Sequence, residues 1–78
     1  MNAALMRMLL DCSDTCGMCA DMVMRDSDSM KEMCRMCADM CTQCADMCAK
    51  MPDDSQLAAC AQACRKAAAA CRKLAAAK

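Results

Sequence analysis

Cysteine sets the terms for what this chain can fold into. It recurs at positions 34, 37, 41, 44 and 48, at intervals of 3, 4, 3 and 4. That is the a/d rhythm of a helix that buries one stripe, with a thiol where leucine normally sits. Met30 and Met51 extend the series at both ends. The same register runs through Leu5, Leu9, Cys12, Cys16, Cys19 and Val23, and again through Leu57, Cys60, Cys64, Ala67, Cys71 and Leu74. All 11 cysteines lie on these three seams. A chain marked in this way is predicted to be all-α, with three helices whose cysteine faces meet.

Turn signals place the boundaries. The first helix runs from about Asn2, a candidate N-cap, to Arg25. Asp26-Ser27-Asp28-Ser29 follows, and Ser29 with Glu32 has the spacing of a capping box, so the second helix starts near Met30. It ends at Met51, because Pro52 disfavours helix in the residue before it. Asp53, Asp54 and Ser55 offer N-caps for a third helix, with Gln56 three residues after Asp53, and that helix runs to the C-terminus. Short connections make neighbouring helices antiparallel. The expected architecture is a single cysteine-rich helical domain over residues 1–78, an antiparallel bundle with three helices per chain, completed to a larger bundle by oligomerisation.

Composition excludes several classes. Leu, Val, Ile and Phe together number six of 78 residues, yet the apolar fraction is 59%, because Ala, Met and Cys supply it. A loop-rich disulfide scaffold needs turn residues, and one Gly and one Pro cannot build many loops. The cysteine count is odd, so one thiol would stay free in a fully paired monomer. No secretory signal is visible, and the longest uncharged run, Ser55 to Cys64, is ten residues. That is about half of a membrane span. A reduced, cytoplasmic protein without membrane contact is the expectation. The absence of His, with no nucleotide or phosphate motif, leaves little for acid–base catalysis, so no enzyme is expected. All ten acidic residues fall within 1–54 with five of the ten basic ones, giving −5 there and +5 in 55–78. Complementary solvated faces explain this. Five basic residues on one helix, no aromatics and a neutral whole argue against nucleic acid.

Residues three or four apart on a helix share a face about 5–6 Å apart, so such thiol pairs can grip one metal ion. A lone buried Cys packs like a small hydrophobe. Eleven in register are different, because leucine would bury more apolar surface at every site. Thiolates and thioethers with no imidazole select Cu(I), with zinc and iron–sulfur next. Zinc sites are usually closed tetrahedra built from C-x-x-C pairs in loops, and a long helical stripe does not define them. Thiolates bridging two-coordinate ions would bring capacity to about 11 Cu(I) per chain. Bridges between helices are a competing fate, whereas disulfides within one helix would be strained.

A second stripe sits one residue before the first: Met33, Met36, Met40, Gln43 and Met47, and Met8, Asp11, Thr15, Met18 and Met22. Methionine at helical spacing is first of all core. Three helices cannot enclose two adjacent stripes, so the methionine face is expected to pack against another chain, as in a homo-oligomer, or against a missing helix. At the bundle ends, Met47 and Met51 gather with Met6 and Met8, and Met22, Met24, Met30 and Met33 gather at the other end; either cluster is a candidate soft entry port for Cu(I).

The segment CRMCADMCTQCADMC at Cys34–Cys48 and ACAQACRKAAAACRKL at Ala59–Leu74 resemble the copper storage proteins, cysteine-lined four-helix bundles. The resemblance covers the whole chain, aligned with the family's last three helices. It implies that Cys12, Cys16, Cys19, Cys34, Cys37, Cys41, Cys44, Cys48, Cys60, Cys64 and Cys71 are Cu(I) ligands, through the C-x-x-x-C pairs Cys12/Cys16, Cys37/Cys41, Cys44/Cys48 and Cys60/Cys64. Family members often place His at the mouth of the bundle. Here the region reads Met51-Pro52-Asp53, and Met47 and Met51 are the candidate replacements.

The leading function is therefore storage or buffering of multiple Cu(I) ions without catalysis. One alternative is a structural or oligomerisation module with a thiol core. Others are a zinc-binding, metallothionein-like protein and a redox protein. The redox protein would need a thiol of depressed pKa, for which Cys34 beside Arg35 and Cys64 beside Arg65 and Lys66 are the candidates.

Overall fold

A computed structural model describes residues 3–51 and 54–76. It contains three helices: α1 over Ala3–Met24, α2 over Met30–Ala49 and α3 over Ser55–Ala76. A helix of about 22 residues is about 33 Å long, which accounts for the rod-like extent of 40 × 20 × 15 Å. Among the described residues, no helix is long and apolar enough to cross a membrane. The all-α, three-helix expectation holds.

The connections are built differently from the expected caps. Ser29 takes the N-cap position of α2, but its side chain makes no capping bond, so the Ser29–Glu32 box does not form. Ser27 acts instead, its hydroxyl accepting the Ser29 N–H at 3.2 Å. Before it, α1 closes as Asp26 enters the left-handed region at φ 51. The Asp26 N–H reaches back to the Val23 carbonyl and the Ser27 N–H to the Met22 carbonyl. This is the helix-ending arrangement usually made by glycine. Asx residues tolerate that conformation better than other side chains.

α2 ends in regular form at Ala49, earlier than the expected Met51. Lys50 and Met51 close with i→i−3 bonds to Met47 and Cys48. Asp54 caps α3, one carboxylate oxygen accepting the N–H groups of Gln56 at 3.0 Å and Leu57 at 3.1 Å. Asn2, Pro52, Asp53, Ala77 and Lys78 lie outside the described residues.

The three seams face one another. On α2 all five cysteines are buried, at 0–1% exposure. On α1, Leu5, Cys12 and Cys19 are buried while Leu9, Cys16 and Val23 pack half-buried against them. On α3, Leu57, Cys64 and Cys71 are buried, Cys60 and Ala67 half-buried, and Leu74 is exposed.

α2 lies in the middle, packed on both neighbours, and no Cα of α1 comes within 8 Å of α3. Its two flanks differ. On one side of the seam, Ala38 and Ala45 are buried, and so are Ala61 and Ala68 of α3. The polar links between the two helices lie beside this alanine flank. Arg65 pairs with Asp46 at 3.2 Å, and Arg72 donates to the Thr42 hydroxyl at 3.2 Å. Alanine therefore lets α2 and α3 approach closely. The Arg65–Asp46 pair is solvent-exposed and contributes little by itself.

The methionine stripe lies on the opposite flank, toward α1. Met8, Met33, Met40 and Met47 pack half-buried against the core, and Met22 is buried. The stripe expected to pack against another chain or a missing helix is thus largely occupied within the chain. Met18 and Met36 remain exposed, at 53% and 55%.

Asp54→Ala should cost about 1 kcal/mol of stability through loss of the cap, whereas Ser29→Ala should change the thermal midpoint little. Circular dichroism melts of the reduced protein compare the two. Equal losses would contradict the capping assignment.

Candidate metal centre

The sulfur atoms form one connected column. Four trios have all their Sγ atoms within 4.8 Å of one another: Cys44–Cys48–Cys60, Cys12–Cys44–Cys64, Cys12–Cys16–Cys41 and Cys19–Cys37–Cys71. Two of them take one cysteine from each helix. Cys44 and Cys12 each belong to two trios, which joins three trios in series. Cys16 lies 3.3 Å from Cys37 and 3.4 Å from Cys41, which ties in the fourth. Cys34 completes the column at 3.4 Å from Cys19. All 11 expected ligands are brought together, and all are free thiols. Cys16 and Cys60 are half-buried and the other nine buried.

Several thiols at helical spacing lie close together. Cys37 and Cys41 are 3.9 Å apart, and Cys12/Cys16 and Cys44/Cys48 each share a trio. Cys60 and Cys64 fall in different trios, each joined to α2. The grouping across helices depends on which flanks meet, which single-helix spacing does not encode. Met47 and Met51 pack half-buried against the cysteine core beside Cys48.

The distances suit a soft ion. A metal–sulfur bond of about 2.3 Å sets three sulfurs around one ion about 4.0 Å apart, and two sulfurs across it about 4.6 Å apart. Both spacings fit within the trios. Shared thiols such as Cys12 and Cys44 are placed to bridge neighbouring ions.

Burial governs the protonation of the column. The thiols of Cys19, Cys34, Cys37, Cys41, Cys44, Cys48 and Cys64 are all pushed up, with desolvation as the largest cause. Cys34 rises to about 11 and Cys64 to about 12. For Cys34, Cys37, Cys41, Cys44 and Cys48 a hydrogen bond to a neighbouring thiol adds to the effect. For Cys19 and Cys64 the first such bond opposes burial without reversing it. The redox reading needed a depressed pKa at Cys34 or Cys64, and both move the other way. Their adjacent cationic side chains are exposed and do not offset the loss of water around sulfur.

A protein-family model described as copper storage protein matches residues 1–76. Comparison with curated proteins and with solved structures returns no match.

The raised thiols carry a stability consequence. Below the ordinary thiol value of 9.0 both folded and unfolded chains keep their protons. As pH rises through 9.0 the unfolded chain ionises first, so folding is progressively weakened until Cys34 itself titrates at about 11. The thermal midpoint of the reduced, metal-free protein should be flat between about pH 6 and 8 and fall steadily above about pH 9. Melts across that range under reductant check this, and a midpoint that rises in the alkaline limb would contradict it.

Proposed function

The chain belongs to the copper storage protein family, a storage and non-enzymatic family, and we propose that it stores several Cu(I) ions along its thiol column. The observation that carries the reading is the connectivity of the sulfurs: four trios, two shared thiols and no disulfide among the eleven. Copper ions are the cargo. The ligands are Cys12, Cys16, Cys19, Cys34, Cys37, Cys41, Cys44, Cys48, Cys60, Cys64 and Cys71. Met47 and Met51 supply thioether ligands where the column ends at Cys48.

Three arguments support copper over zinc. The donor set is all sulfur with no imidazole, which favours Cu(I). The groups are trios, which suit two- or three-coordinate copper better than tetrahedral zinc. Shared thiols allow bridging, so capacity approaches one ion per cysteine. The mechanism is ligand exchange. Each entering ion displaces thiol protons and links helices that are otherwise joined by modest apolar contacts. Raised pKa values at Cys19, Cys34, Cys37, Cys41, Cys44, Cys48 and Cys64 keep these thiols protonated, so they bury no uncompensated thiolate charge before metal arrives. A reducing compartment such as the cytoplasm fits free thiols. Self-association fits the exposed Met18 and Met36 of the methionine face.

An anaerobic Cu(I) titration of the reduced protein against a competing chelator, with mass detection, tests the reading. Tight uptake of about ten ions per chain is expected, and the mass gives the chain count. At a free ion concentration 100-fold above the dissociation constant, each site adds about 2.7 kcal/mol. The thermal midpoint should therefore rise by about 10 °C or more. Cys44→Ala, which removes a shared thiol, should lose more copper than Cys34→Ala. Uptake of one ion or none, or preferential tight binding of Zn(II), would falsify copper storage.

A further inference from the structure

Ions held behind packed helices need a way in, and one side of this bundle is open. Because α1 and α3 flank α2 without packing on each other, a groove of about 380 Å³ runs between them. Ala20 and Val23 of α1 and Ala67, Ala70 and Leu74 of α3 form its sides. Its floor is sulfur, from Cys16, Cys19, Cys37 and Cys71. Three of these make up one complete trio. The fourth, Cys16, belongs to the next trio along and lies 3.3 Å from Cys37. Met24 also lines the groove and is 86% exposed, so a thioether stands at the lip with solvent around it.

We propose that this groove is the port through which Cu(I) reaches the column, with Met24 capturing the ion and the Cys19–Cys37–Cys71 trio filling first. The proposal rests on the storage reading above. The ion is taken to arrive bound to a low-molecular-weight thiol. The Met24 thioether is a soft donor with no proton to lose, so it binds Cu(I) without acid–base cost and holds it weakly enough to release it. At the floor a cysteine sulfur bonds to copper as the carrier's sulfur–copper bond breaks. The cysteine proton departs on the carrier, which leaves as a neutral thiol. Copper stays Cu(I) throughout, and no oxidant or reductant is needed. Cys16 then offers the next sulfur inward, toward Cys41 at 3.4 Å, so the first trio can pass its ion on and refill.

Among the described residues, the methionines beside the other end of the cysteine series on α2 are placed differently. Met47 and Met51 are half-buried against the core, and neither Cys48 nor Cys60 lines the groove.

The test is the rate of uptake. Reduced protein is mixed anaerobically with the Cu(I)–glutathione complex and followed by stopped-flow absorbance, and final capacity is read by chelator displacement. Met24→Leu removes the lip sulfur at an exposed position, and Ala70→Leu narrows the groove. Circular dichroism confirms that both remain helical. Both should load several-fold more slowly than the parent at unchanged capacity, while Met36→Leu, at an exposed methionine outside the groove, loads at the parent rate. After one equivalent of copper, Cys19, Cys37 and Cys71 should be protected from alkylation relative to the metal-free protein, ahead of Cys44, Cys48 and Cys60. Parent-like rates in both groove variants, or first protection at Cys44, Cys48 and Cys60, overturn the port alone. Failure of the parent chain to take up copper overturns the storage reading and the port with it.

Discussion

The structure depends on burying sulfur in place of hydrocarbon. Each of the five cysteines on α2 is removed from water, and each has a thiol from another helix beside it. A thiol is small, so the seams must come close for the core to close at all. Closeness puts sulfurs 3.3–3.9 Å apart. The spacing that lets thiols pack as small hydrophobes therefore also lets them share an ion. Packing and ligation ask for nearly the same geometry, which is why one seam can serve both.

The flanks of α2 decide where that geometry is sealed and where it is open. Alanine on the α3 side permits close helix contact, and two arginines reach across to Asp46 and Thr42. Methionine on the α1 side fills a wider gap with flexible chains, suited to an irregular space. A helix that meets one neighbour through alanine and the other through methionine cannot draw those neighbours together equally. The two outer helices end up joined through their sulfurs but not through their backbones. The groove is the geometric remainder of that asymmetry.

Much of this was legible in the residue pattern, and what was not has a physical reason. The seam was readable because the 3-4-3-4 spacing leaves one helical solution, and all five α2 cysteines are buried as expected. The caps were less readable. Ser29 fits the capping-box spacing, yet its φ of −95 and ψ of 10 do not place its hydroxyl over the first turn. Asp54 does the equivalent work for α3. The left-handed Asp26 carried no glycine to announce it. The trios were the least legible. Periodicity states which residues share a face but not which flank of each helix meets which neighbour, so Cys60 and Cys64 separate into different groups. The burial of alanine at 38, 45, 61 and 68 was the overlooked signal, because small residues at flanking positions mark the closest helix pair.

A core of thiols, alanines and methionines contributes less hydrophobic stabilisation than one of leucines, since less apolar area leaves water at each position. In a chain of 78 residues that deficit is serious, because small domains start with little to spare. The deficit fits a protein whose interior fills with cargo. A core that was already close-packed with leucine would have no room and no donors. One that was thiol-lined and charged when empty would repel itself. On the proposed storage function, burial of the seven thiols whose pKa is raised would limit charge in the empty column, and ligation would add cross-links as ions enter. Stability and occupancy then rise together.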